Sequence, residues 1–89
     1  MNEQDFRAYL GEQGYAEAKT GAYDVGPASE EHAHDFSVSG MVLEGTFVLT
    51  TADGRQALTP GESWTLAAGT LHREQVVGDG PARIIYGTK

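Results

Sequence analysis

Turn signals recur at short intervals along most of this chain, and they limit its fold more than any other feature. Each signal is a glycine beside a proline or a small or acidic residue. The runs between them are rich in valine, leucine, threonine and aromatic residues, which favours strands over helices. The signals are Gly26-Pro27, Glu44-Gly45, Asp53-Gly54, Pro60-Gly61, Ala68-Gly69 and Gly78-Asp79-Gly80-Pro81. The pattern predicts an antiparallel all-β domain.

The Asp53-Gly54 pair is the strongest local hairpin signal. It separates the runs GTFVLTT and RQALT, and both residues tolerate the positive φ that a tight primed turn requires. A chain of 89 residues is long enough for one core and too short for two. Because a small all-β chain must protect its strand edges, the sequence predicts a small antiparallel β-barrel or jelly roll.

The first residues follow a helical pattern instead. Asn2 can cap a short helix with Asp5 at the third position, Phe6 and Leu10 fall on one face, and Gly11 is expected to end the helix. We expect this helix to pack on the β-domain as a lid. The single domain is therefore divided into an N-terminal helical extension, residues 1–14, and a β-domain, residues 15–89.

Charge and composition exclude several classes of function. Acidic residues outnumber basic residues by 13 to 6, and the formal net charge of −7 disfavours nucleic acid and anionic membranes as partners. The chain has no cysteine, which excludes disulfides, thiolate nucleophiles and zinc-finger sites. The first residues, MNEQDFRAYL, lack the basic start and apolar core of a secretory signal, so the expected location is the cytoplasm.

Two of the three histidines stand one residue apart in the stretch EEHAHDFSVSGMVLEG. Side chains alternate along an extended strand, so His32 and His34 point to one face together with Phe36 and Val38. The pair is moderately specific as a metal-ligand signal. The alternative is that each imidazole is a surface residue or a hydrogen-bonded residue of a strand.

The third histidine lies in a second extended segment, GTLHREQVV. There His72 and Glu74 share one face. If this segment lies beside the first, three neutral imidazoles and one carboxylate converge, which suits a divalent first-row metal such as iron, manganese, nickel, copper or zinc. The spacing therefore predicts one transition-metal site.

The first segment resembles the first motif of the cupin superfamily. That motif is a glycine, five residues, His-x-His, three or four residues, a glutamate, six residues and a glycine. Gly26, His32, His34 and Gly45 fit this frame. Val38 stands in the position of the glutamate, so the usual carboxylate ligand is missing from the motif.

The second segment resembles the second cupin motif. Gly61, Gly69 and His72 fit it, whereas Ala67 replaces the usual proline and Val76 the usual asparagine. Together the two motifs cover more than half of the chain. The resemblance is to small single-domain cupins, and it implies the cupin barrel and, because cupins commonly pair through their sheets, a homodimer.

In cupins the histidines of both motifs and the glutamate bind one metal, so the resemblance implies His32, His34 and His72 as ligands. For the missing carboxylate our hypothesis is Glu74, either as a direct ligand or by orienting metal-bound water. Glu44 is the competing candidate. Its position before the turning Gly45 equally suits a local backbone role at the end of a strand.

Four large apolar residues are the candidate lining of a small pocket, although packing in the core is the ordinary role of such residues. They are Phe36, Val38, Phe47 and Trp64. The resulting hypothesis is a metal site with a pocket for a small organic ligand or substrate, whose reaction and enzyme status the sequence leaves open. The alternative is a non-catalytic module that binds or senses a small molecule without a functional metal.

Overall fold

The computed structural model describes all 89 residues as one helix and seven strands. The elements are α1 (Glu3–Glu12), β1 (Lys19–Tyr23), β2 (Val38–Glu44), β3 (Thr46–Thr51), β4 (Gly54–Leu58), β5 (Ser63–Leu66), β6 (Arg73–Val77) and β7 (Ala82–Thr88). The lone helix, with 10 residues, lacks the length and hydropathy to cross a membrane.

The strands form two antiparallel sheets. One has the order β1-β7-β2-β5 and the other the order β4-β3-β6. The sheets do not close into a continuous barrel, so of the two predicted architectures the stacked sheets of a jelly roll are the one found. The predicted all-β antiparallel fold with a short N-terminal helix is confirmed.

Alternation in the first sheet sets one face toward the second sheet. The buried side chains on this face include Val42, Trp64, Leu66 and Ile84, which pack with Phe47 from the second sheet. Phe47 and Trp64 stack with ring centroids 4.9 Å apart. Burial of this apolar area is the main favourable contribution to the folding of the domain.

Gly40 makes the position of Trp64 possible. The two residues are cross-strand partners in β2 and β5, and a Cβ at Gly40 would overlap the indole ring. The ring therefore lies flat against the backbone of β2 and extends from there to Phe47. A small residue on one strand thus fixes a large one between the sheets.

The helix packs on the outer face of the same sheet. Phe6 and Leu10 are buried against Met41 and Ile85, which alternate with the inward residues of β2 and β7. Because these contacts lie on the outer side of the sheet, the helix covers the sheet and not the space between the sheets. The expectation of a lid holds only in the sense of a cover over Met41 and Ile85.

The ends of two elements differ from the sequence expectation. The Asn2 side chain accepts a hydrogen bond from the Asp5 amide at 2.8 Å, as predicted, but the helix continues past Gly11 to Glu12. Gly14, with φ of 81°, adopts the left-handed conformation instead. Gly11 was placed wrongly because glycine is tolerated inside a helix when packing outweighs its propensity.

The predicted hairpin is present, with its turn displaced by one residue. Thr51 pairs with Gly54, so Ala52 and Asp53 form the turn. Only Gly54 has a positive φ, 125°, and Asp53 does not. The predicted primed turn at Asp53-Gly54 is therefore wrong in type, because the glycine closes the ladder and does not occupy the tip.

The outer edge of β6 is covered by an irregular segment, residues 26–32. The amides of Gly26 and Ser29 donate to the carbonyls of Val76 and Glu74, at 3.3 and 2.8 Å. His32 and His72 then exchange two backbone hydrogen bonds at 3.0 and 2.9 Å. This pairing brings the two histidine segments side by side.

Replacing Gly40 by alanine is expected to displace Trp64, because the added Cβ overlaps the indole. Overpacking of this kind costs about 1–3 kcal/mol. The chain has a single tryptophan, so its fluorescence maximum should shift to longer wavelength while the free energy of unfolding falls. Gly80→Ala is the control, since no atom lies within 4 Å of a Cβ there. Equal stability of the two variants would contradict this packing.

Candidate metal centre

Three imidazoles and one carboxylate converge between the sheets. His32, His34, His72 and Glu74 each offer one ligand atom, and these atoms lie within 4.8 Å of one another. The paired backbones of His32 and His72 provide two of the side chains. The Gly69 amide donates to the His34 carbonyl at 2.8 Å, which holds the other end of the first segment against the second.

Hydrogen bonds fix the protonation pattern of two rings. The Nδ1 atom of His32 lies 2.8 Å from the Glu30 carbonyl, and the Nδ1 atom of His72 lies 2.9 Å from the Thr70 carbonyl. A carbonyl oxygen only accepts, so Nδ1 carries the proton in both rings. In the neutral imidazoles the lone pair is then on Nε2, and it points into the cluster.

Glu74 completes the set from the neighbouring position on the strand face. Its Oε1 atom lies 3.1 Å from Nε2 of His72 and 3.7 Å from Nε2 of His32. Ser29 holds the backbone of Glu74 on both sides, since the Glu74 amide donates to the Ser29 hydroxyl at 2.9 Å and the Ser29 amide donates to the Glu74 carbonyl. The carboxylate therefore projects from a fixed strand.

The cluster has a buried side and an open side. The side chain of His72 is 1% exposed, whereas those of His32 and Glu74 are 36% and 35% exposed. His34 stacks on Phe36 with ring centroids 4.8 Å apart and planes 14° apart. An ion can thus approach from solvent and meet His72 at the bottom.

The chemistry of these donors fits a divalent transition metal. In the neutral rings, two Nε2 lone pairs and a carboxylate oxygen meet without a hydrogen-bond donor between them. Such an arrangement is repulsive unless a proton or a metal ion lies among the acceptors. Imidazole nitrogen with carboxylate oxygen is a ligand set for zinc, iron, copper or nickel. The cluster can hold a metal ion.

A cavity of about 490 Å³ adjoins the cluster. All four candidate ligands lie on its wall, together with the four apolar residues that the sequence proposed as lining. The apolar four are Phe36, Val38, Phe47 and Trp64. Phe47 and Trp64 also belong to the buried core, whereas Phe36 is 38% exposed at the rim. Their role as a ligand pocket stays a prediction.

The cavity wall contains further residues that the sequence did not indicate as functional candidates. Lys19, Tyr23, Tyr86 and Thr88 all face the cavity. Lys19 and Tyr23 are four residues apart on β1, so the two-residue period of a strand places them on the same face. The sequence does not predict which face of β1 lies inward, because neither face of this short strand is apolar.

The surroundings of Tyr23 on the cavity wall change the pKa of its phenol. Partial burial of a residue that is 44% exposed, then the Tyr86 hydroxyl and then the Glu74 carboxylate raise the pKa of Tyr23 above its ordinary value. The phenol therefore stays protonated at neutral pH. It is available in the cavity as a hydrogen-bond donor.

Neither the glutamate position of the first motif nor the competing Glu44 supplies a carboxylate to the cluster. Val38, which stands in the glutamate position of the first motif, lies on the cavity wall as an apolar residue. Glu44 is 61% exposed and binds Arg83 at 2.7 Å, outside the cluster. Glu74 is thus the carboxylate that the structure brings to the histidines.

A second, larger concavity of about 1000 Å³ lies where the free edges of β4 and β5 leave the sandwich open. It contains none of the four candidate ligands. Size alone would favour it as a binding site. The convergent donors favour the smaller cavity, because a site is defined by its chemistry and its placement of polar groups.

Comparison with known proteins identifies the family. The sequence pattern described as Cupin domain matches residues 20–86. The chain belongs to the cupin superfamily, as the two motifs predicted. Among curated proteins, none matches this chain.

Solved structures share the fold. A cupin protein from Bacteroides fragilis has a TM-score of 0.68 at 17% identity, with 83% of this chain and 64% of that chain covered. Oxalate oxidase in complex with the substrate analogue glycolate has a TM-score of 0.68 at 18% identity, with 80% and 40% covered. The protein TT1209 from Thermus thermophilus has a TM-score of 0.67 at 26% identity, with 78% and 67% covered. The chain thus spans under two thirds of the length of the first two.

Glu74→Gln is expected to weaken metal binding by at least about tenfold, because the neutral amide removes the negative charge beside the histidines. Metal affinity is measured by competition with a chromophoric chelator. Glu44→Gln, which removes an exposed carboxylate outside the cluster, is the matched control and should bind as the wild type does. Equal affinities for wild type and Glu74→Gln would remove Glu74 from the ligand set.

Proposed function

We propose that this cupin binds one divalent transition metal through His32, His34, His72 and Glu74, and a small organic ligand in the adjoining cavity. The observation that carries the proposal is the convergence of Nε2 lone pairs whose direction is set by Nδ1 bonds to backbone carbonyls. Orientation of this kind raises the affinity of histidine ligands for a metal. The metal could be iron, manganese, nickel, copper or zinc.

The metal would supply Lewis acidity toward the ligand, and the protein residues would position that ligand. The apolar wall formed by Phe47 and Trp64 excludes water from one side of the cavity. Tyr23 offers a hydroxyl from β1. These features support recognition of a small molecule that has both an apolar and a polar part.

The proposal is one of metal-dependent binding, and no reaction is assigned. Glu74 is the only carboxylate on the cavity wall, and it belongs to the proposed ligand set. The alternative, a module that binds without metal, is favoured by the apolar wall and is separated by the following test.

Metal content of tag-free protein, purified without chelator, is measured by plasma mass spectrometry. We expect close to one equivalent of a first-row metal in the wild type and its loss in His72→Ala. Because His72 is buried, His34→Ala is measured as well, and circular dichroism checks that each variant is folded. A folded wild type that takes up no added iron, manganese, nickel, copper or zinc would leave the metal-free alternative.

Thermal unfolding gives a second measurement. A metal that binds only the folded state at a hundredfold excess over its Kd stabilises the protein by about 2.7 kcal/mol. For a domain of this size that corresponds to a rise in Tm of about 10 °C or more. The rise should disappear with chelator and in His34→Ala. An unchanged Tm on addition of each metal would contradict the proposal.

A further inference from the structure

Lys19 is the one cationic side chain on the wall of the cavity. It lies on β1 directly across from Tyr86 of β7, in a row that continues to Gly40 and Trp64. Four of the other five basic residues have partners: Arg7 with Glu3, Arg73 with the Ser29 carbonyl, Arg83 with Glu44 and Lys89 with the Gln13 carbonyl. The ammonium group of Lys19 forms no ion pair or hydrogen bond within the chain, whereas the backbone of Lys19 pairs with Tyr86.

Tyr23 extends back along β1 toward Lys19. Its hydroxyl lies over Gly21, 2.9 Å from where a Cβ of that residue would stand. The absence of a side chain at Gly21 is therefore what permits the phenol to lie along the strand. Since Lys19 is the next residue with a side chain on this face, beyond Gly21, the hydroxyl and the ammonium group border the same part of the cavity.

The wall thus has an anion-binding character on the sheet that faces the metal cluster. An ammonium group and a phenolic hydroxyl are both hydrogen-bond donors, and neither is used by another residue of the chain. A divalent metal bound to three neutral histidines and one carboxylate keeps a net positive charge. In a protein whose net charge is −7, this cavity would combine two positive centres.

We propose that the cavity accepts a small organic acid with two anionic groups, one at the metal and the other held by Lys19 and the Tyr23 hydroxyl. The inference rests on the proposed function, because the first anionic group needs the metal. A charge-assisted hydrogen bond from Lys19 is the stronger of the two contacts with the second group. Uncharged ligands of the same shape leave the ammonium group without a partner and bind more weakly.

Linear dicarboxylates from malonate to adipate, with acetate as the single-carboxylate reference, are the probes. Their affinities for the metal-loaded protein are measured by isothermal titration. We expect one chain length to bind about tenfold or more tighter than acetate, because only that length spans the metal and Lys19. Lys19→Met should lower the affinity for this dicarboxylate by about three- to tenfold and leave acetate unchanged.

Arg55→Met is the matched control. Arg55 is an exposed basic residue on β4 outside this cavity, and it also forms no ion pair. Its replacement removes one positive charge from the protein and should leave the dicarboxylate preference intact. A drop of the same size in both variants would mean that net charge, and not Lys19, sets the affinity, which would overturn the proposal.

Tyr23→Phe and Gly21→Ala test the hydroxyl. Each should weaken binding of the preferred dicarboxylate by about threefold or more while metal content stays at the wild-type level. A chain-length preference that persists in Lys19→Met would indicate simple chelation of the metal and would overturn the proposal. If the wild-type protein binds no metal, the proposed function itself fails. If it binds metal but its chain-length preference does not depend on Lys19, only the present inference fails, so the two failures are distinguishable.

Discussion

Backbone pairing between residues 26–34 and residues 69–76 is the interaction on which the site depends. Residues 26–32 are not a regular strand, yet Ser29 is bonded to β6 and His32 is bridged to His72, the residue just before β6. Without these bonds the two histidine segments, distant in sequence, would have no fixed relation. With them, the ring centroids of His32 and His72 lie 4.3 Å apart, and Glu74 follows on the same strand face.

The sequence was sufficient to predict which of the site's residues share a face. The two-residue period of an extended chain predicts His32 with His34 and His72 with Glu74. All four meet in the cluster, although residues 33–37 are not the predicted strand and β2 begins only at Val38. It was also sufficient for the antiparallel all-β class, because glycine turns separate short apolar runs, whereas the choice between a closed barrel and two stacked sheets came from the structure. The helix end at Gly11 and the turn at Asp53 were wrong, since packing and ladder geometry decide between neighbouring residues there.

Other parts of the site depend on three-dimensional relations that no local pattern contains. Lys19 and Tyr23 face the cavity only because β1 pairs with β7 in one register. Ser29 supports Glu74 from a segment without strand periodicity. The replacement of the first-motif glutamate by Val38 was visible in the sequence. Only the folded chain brings Oε1 of Glu74 to within 3.7 Å of Nε2 in both His32 and His72.

The chain has no cysteine, and its two sheets are joined by ordinary turns and by packing. An ion bound at once to residues 32–34 and residues 72–74 would act as a covalent-like crosslink between distant parts of the polypeptide. Unlike a disulfide, this crosslink would open by chelation and not by reduction. Because the ion would bind both segments only in the folded protein, metal binding would be coupled to folding. The fraction of folded protein would then rise with the concentration of free metal.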